Sequence, residues 1–136
     1  MSDLQSSIMI SASGLRVQGQ RVKVIAENVA NANSTADTPG GDPYRRKVIT
    51  FENVFDRAMS ADLVQVDKVV GDKSKFPLVF DPNHPASDSE GFYKKPNVNA
   101  LIEMTDMREA QRSYEANLNL IEASRSMIMR TVDLLR

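Results

Sequence analysis

The chain of 136 residues has no cysteine, no tryptophan and a single histidine, His84. Disulfide frameworks, cysteine-ligated zinc and Cys-His nucleophile pairs are therefore excluded. Nor does any stretch approach the roughly 20 consecutive apolar residues that a membrane-spanning helix requires. The N-terminus has no basic region followed by a continuous apolar stretch, so the reading expects no cleaved signal peptide. Net charge is also lacking: 17 Lys+Arg stand against 18 Asp+Glu, a formal −1. Affinity for a phosphate backbone grows with the number of cations presented to it, so a nucleic-acid partner has no global electrostatic support.

What is present is pattern. Residues 1–33 contain no proline, and Leu4, Ile8, Ser11, Leu15, Gln18, Val22, Ile25, Val29 and Ala32 step by four and three. That spacing averages 3.5 residues and predicts one long helix with a seam along one side, about 45 Å long at 1.5 Å per residue. Gly14 and Gly19 oppose it, each costing about 1 kcal/mol against Ala. The same steps return over 97–136 at Met107, Ala110, Tyr114, Asn117, Ile121, Ser124, Ile128, Thr131 and Leu135, with Asn97 or Asn99 as N-cap. All six prolines and four of the six glycines fall between, in 34–96. This middle segment reads as loop, then a short amphipathic helix on Phe51, Val54, Phe55, Ala58 and Met59 behind a Thr50 cap. A hairpin of Leu63 to Val70 with Phe76 to Phe80 follows, turning at Gly71-Asp72-Lys73-Ser74. The expected fold is mostly α with a small β-containing middle, its long terminal helices paired as a coiled-coil-like unit.

Each seam divides into two columns seven residues apart. One is apolar: Ile8, Leu15, Val22 and Val29 in the first helix, and Met107, Tyr114, Ile121, Ile128 and Leu135 in the second. The other is largely small or polar, including Ser11, Gln18, Ala110, Asn117, Ser124 and Thr131. One good column buries too little to offset the entropy of ordering both helices. Helices that become ordered when further copies pack around them follow from this reading. An ordinary helical hairpin capping a small sheet is the plainer alternative. Asn117 within a seam lowers stability but can fix register.

No residue pattern demands chemistry. His84 with Asp81, Asp88 and Glu90 matches no ligand signature, the acidic run near 81–91 fails the calcium-loop pattern, and Gly71-Asp72-Lys73-Ser74 lacks a phosphate loop's spacer. The reading assigns no catalytic, cofactor-binding or metal-ligating residue, and it expects no enzyme, no cofactor and no small-molecule substrate. Methionines 104, 107, 127 and 129 read as adaptable interface filling.

Ser13-Gly14-Leu15, Gln18, Arg21 and Ala26 through Asn33 resemble the N-terminal signature of the axial proteins of the bacterial flagellum, and Tyr114-Glu115-Ala116-Asn117 resembles their C-terminal signature. Gly40 through Lys47, Asp81 through Pro85, and Gly91 through Asn99 look like the proximal-rod branch of the basal-body rod protein family. The resemblance implies terminal helices packed with those of neighbours into a hollow helical tube, a small β-rich domain outside, and export through the flagellar type III apparatus. It places the chain in the basal body's periplasmic rod, with copies of itself, other rod proteins, and ring and export-gate components as partners. Neither nucleic acid nor membrane insertion enters. The expected assembly interface is Ile8, Leu15, Val22, Val29, Asn31, Met107, Tyr114, Asn117, Ile121, Ile128 and Leu135. Tyr44, Arg45, Arg46 and Lys47 would make polar contacts to a neighbouring subunit. A soluble helical adaptor or chaperone-like binding module is the rival reading, separated from a rod subunit by closed rather than open assembly.

Overall fold

The structure is a computed structural model describing residues 3–136. Six elements follow in chain order: α1 (Asp3–Ala30), β1 (Lys47–Asp56), β2 (Ala61–Gly71), β3 (Leu78–Phe80), β4 (Phe92–Lys94) and α2 (Ala100–Leu134). The strands form two separate two-stranded sheets, β1 with β2 and β3 with β4. Both long helices stand where the four-and-three spacing puts them, and a small β middle separates them.

The helix ends have local causes. Asn31 terminates α1: its backbone N–H and side-chain amide both donate to the Glu27 carbonyl, at 3.1 and 2.8 Å. Its side-chain oxygen accepts from Ser34 Oγ at 3.0 Å. Both donors converge on one carbonyl of the last turn, the kind of group that a helix C-terminus leaves open. Asn99 starts α2, accepting from the backbone N–H of Leu101 and Ile102 at 3.1 and 3.4 Å, as expected of a short amide side chain at an N-cap.

The middle corrects two expectations. Residues 51–59 are not a helix: Phe51 to Asp56 continue strand β1, and Arg57–Ser60 form the turn into β2. The β-branched and aromatic run Val48, Ile49, Thr50 and Phe51 favours a pleated strand once Leu63 to Val70 is available as a partner. Gln65 donates to Glu52 and Thr50 to Asp67, cross-strand pairs whose numbering runs in opposite directions, so the strands are antiparallel. Asp56 closes the turn by accepting from the N–H groups of Ala58 and Met59, and Ser60 takes the left-handed conformation, φ 50°. The expected hairpin across Gly71 to Ser74 is likewise absent. The turn is there, with Asp72 accepting from Ser74 N at 2.9 Å. Beyond it, though, Leu78–Phe80 pairs with Phe92–Lys94 in the register Leu78↔Lys94, Val79↔Tyr93, Phe80↔Phe92. The intervening loop is the Pro-bounded turn expected at 81–91. Gly91, at φ 87°, lets the backbone pass where a Cβ would stand 2.8 Å from the Phe80 ring.

The chain divides into two compact units, each taking part of α1, of the β1–β2 hairpin and of α2. Among the described residues, unit 1 holds 3–22, 49–68 and 108–136; unit 2 holds 23–48 and 69–107.

Candidate assembly interface

In unit 1, α1 and α2 meet through small residues. A Cβ at Gly14 would lie 2.9 Å from Asn117 Nδ2, and one at Gly19 would lie 3.9 Å from the Tyr114 ring. Arg21 pairs with Glu109 at 3.4 Å, so the two helices run antiparallel here. Gly14 therefore has a packing reason, since a Cβ there would crowd Asn117, whereas one at Gly19 would meet Tyr114 at an ordinary contact distance. Ser11, Ser13 and Val17 are the buried residues of α1 in this unit, and Ala110 and Ser124 those of α2. Ser13 also ties α1 to the hairpin, its Oγ donating to the Ile10 carbonyl and accepting from Val64 N.

The apolar columns lie differently. Ile8, Leu15, Val22, Ile121 and Ile128 are only half-buried, Tyr114 is exposed, and Leu135, just past the end of α2, is 83% exposed. Ile8 borders an open cavity of about 300 Å³ with Gln5, Met9 and Met59. Val22 and Tyr114 border another of about 360 Å³ with Gly19, Gln111 and Glu115. Along the rest of α2, Leu118, Leu120, Met127, Met129, Val132 and Leu134 are exposed. A monomer rarely leaves so many large apolar side chains in water without a partner for them. Asn117, half-buried, faces Gly14.

Unit 2 contains what the sequence reading missed. Its largest fully buried side chains are both polar, Asn28 and Glu103, each 1% exposed. Asn28 holds the start of β1 as a backbone partner would, donating to the Lys47 carbonyl at 2.9 Å and accepting from Lys47 N at 2.9 Å. Its oxygen also accepts from the Tyr44 hydroxyl at 2.8 Å, and its amide approaches Glu103 Oε2 at 3.4 Å. Glu103 in turn accepts from Arg46 Nε. Arg46 reaches Asp72 at 3.2 Å and Asp106 at 3.8 Å, and its backbone N–H donates to Asn97, whose amide holds the Asp72 and Ser74 carbonyls. The hydrogen bond to Glu103 pushes the Arg46 pKa upward against the opposing effect of burial, whereas burial raises that of Tyr44.

Four residues expected to reach a neighbour are thus engaged within the unit. Tyr44 bonds to Asn28, and Arg46 sits among three carboxylates. Arg45 donates to the Asp72 carbonyl at 2.6 Å and lies 4.2 Å over the Phe76 ring, while Lys47 pairs with Glu27 at 3.0 Å on the surface. Asn31 is occupied as the α1 terminator, Met107 is half-buried and Val29 is exposed. The signal for Asn28 was its place in the 26–33 signature; nothing in the spacing distinguished Glu103 from a solvent-facing acid. His84 is a structural side chain: Nδ1 accepts from Ala86 N at 3.0 Å, Nε2 faces Thr35 Oγ1 at 3.3 Å, and the ring stacks on Tyr93 at 3.8 Å. Among the described residues no group of three metal-ligating side chains converges, and no helix is long and apolar enough to cross a membrane.

Two family models match the chain, one for flagella basal body rod proteins over residues 8–40 and one for the C-terminal region of flagellar basal body rod FlgEFG proteins over 89–134. These are the segments that carry the long helices. The flagellar basal-body rod protein FlgC of Agrobacterium fabrum is 48% identical, over 100% of this chain and 98% of its own length. FlgC of Borreliella burgdorferi is 38% identical over 98% of each chain, and that of Bacillus subtilis 36% identical over 94% of this chain and 95% of its own. Such identity along the whole length, middle segment included, places the chain in the FlgC family of flagellar basal-body rod proteins.

Proposed function

We propose that the chain is a structural subunit of the proximal rod of the flagellar basal body, which assembles through its terminal helices into a helical drive shaft that transmits torque. The observation carrying this is the division of labour on α2. In unit 1 its buried positions are Ala110 and Ser124, while Tyr114, Leu118, Leu120, Met127 and Met129 are left exposed. Small inward residues let the helix pair approach closely, and the outward apolar residues supply the next subunit's contact. The helices act as one coiled-coil-like unit whose apolar columns are completed by neighbours. A heterologous contact that does not close on itself generates a filament, and long helices along its length resist twisting. The work is mechanical, and the relatives are named as rod proteins rather than enzymes.

In this reading the three segments have separate tasks: 1–33 and 97–136 build the shaft, and 34–96 meets what surrounds it. The partners are other rod proteins, ring components and the export gate, and the subunit is exported through the flagellar type III apparatus. A soluble adaptor that captures one helix in a closed complex would need a single groove, whereas exposed apolar residues here extend from Tyr114 to Leu135.

Deleting the gene and imaging purified basal bodies is the direct test. Rods should be missing and motility lost, with both restored by the intact gene and neither by Ile121→Asp. Complete rods in the deletion strain would overturn the assignment.

A further inference from the structure

Glu103 occupies a position that hydrophobicity alone would not choose. It is 1% exposed, while its neighbours on the first turns of α2, Leu101, Ile102 and Met104, are 74%, 53% and 55% exposed. Each residue turns a helix by about 100°. A rotation of that size in one sense would bury Met104 and return the carboxylate to water, gaining apolar burial and relieving the cost of an enclosed charge. The observed phase is the reverse. A set of polar contacts holds it: Arg46 Nε on one carboxylate oxygen, Asn28 Nδ2 at 3.4 Å from the other, and Arg46 itself fixed through Asp72, Asp106 and Asn97.

We infer that Glu103, Arg46 and Asn28 form a rotational lock that sets the phase of the start of α2 and keeps Leu101, Ile102 and Met104 facing outward. Glu103 is thus a positioning residue. The lock provides specificity rather than stability. If both charges are removed, Asn28 still holds both backbone groups of Lys47, and Asp72 still accepts from Ser74 N, so neither is left without a partner. Removing both members of a buried ion pair together also avoids the stranded charge that makes removing either one alone so costly.

The full chain has no cysteine, so Met104→Cys introduces a unique thiol. Its maleimide labelling rate would be measured by mass spectrometry on the free chain, alone and combined with Arg46→Ala/Glu103→Ala or with Glu103→Gln. The lock requires that the double alanine variant retain its helical circular dichroism and label at least tenfold more slowly, because residue 104 has turned inward. Glu103→Gln, which keeps the shape of the side chain and one acceptor oxygen for Arg46 Nε but sets a donor against the Asn28 amide, should label at close to the rate of the otherwise unaltered chain. An unchanged rate in a helical double variant would show that the network does not set the phase. Loss of helicity with labelling at the denatured rate would show that it supplies stability instead, and would equally overturn the inference. This readout does not depend on rod assembly. A lock that passes while the intact gene fails to restore rods would refute the functional reading alone.

Discussion

Asn28→Ala removes the side chain that substitutes for a strand at the start of β1. Three of its hydrogen bonds are short, at 2.9, 2.9 and 2.8 Å to Lys47 O, Lys47 N and Tyr44 Oη. Each such bond contributes about 1 kcal/mol net, and more when its loss leaves a buried group unpaired. The expected destabilisation of unit 2 is therefore about 3 kcal/mol. At 1.4 kcal/mol per factor of ten, the Lys47 amide proton should exchange on the order of 100-fold faster, which hydrogen exchange followed by NMR reads directly. Tyr44→Phe should cost about 1 kcal/mol by itself. In the double variant the two losses should fall short of their sum by about the same amount, since both remove the 2.8 Å bond. A change at Lys47 of less than tenfold, or full additivity of the two substitutions, would refute the view that Asn28 is the partner holding β1 in place.

Three further outcomes follow from the same geometry. Arg46→Ala strands the buried Glu103 carboxylate and should cost about 3 to 5 kcal/mol in urea unfolding, whereas Lys47→Ala, which breaks a surface pair with Glu27, should leave the midpoint unchanged. Hydrogen bonds from the Ser74 backbone and side chain, followed by contact with Arg46, hold the Asp72 pKa below its usual 3.8. Its folded value is depressed, so its stabilisation is fully present above about pH 4 and is lost as pH falls through the folded pKa. Asp72→Asn should flatten that acid limb, and urea midpoints taken between about pH 5 and 2 would reveal an unchanged slope if the assignment is wrong. Gly14→Val pushes a side chain to within 2.9 Å of Asn117 and should destabilise unit 1 by about 1 to 3 kcal/mol despite valine's better helix propensity. Adding Asn117→Ala should recover most of that loss in thermal melts.

The lesson of the middle segment is that local spacing loses to pairing. Phe51, Val54 and Phe55 repeat at helical intervals, yet they lie in β1 because Leu63 to Val70 offers a strand to pair with and Asp56 supplies the turn. The turn at Gly71 to Ser74 was legible from composition, but its hairpin was not, since Phe76 goes to Arg45 and Leu78–Phe80 to β4. Seam positions were legible as well, though not which column faces inward. Ala110 and Ser124 are buried, while Tyr114 stays exposed although its ring lies against Gly19.

By itself the sequence determined the two long helices, the Asn cap near 99, the proline-rich middle and, through its signatures, the family. Those features depend on neighbours within a few residues or on residue types at fixed intervals, both of which a linear chain displays. Tertiary structure alone decided that Asn28, Arg46 and Glu103 converge and that a carboxylate is buried while Leu101 and Met104 are not. The physical reason is separation: the 75 residues between Asn28 and Glu103 are bridged only after the chain folds, and a charged side chain enters a core only where its partners already wait.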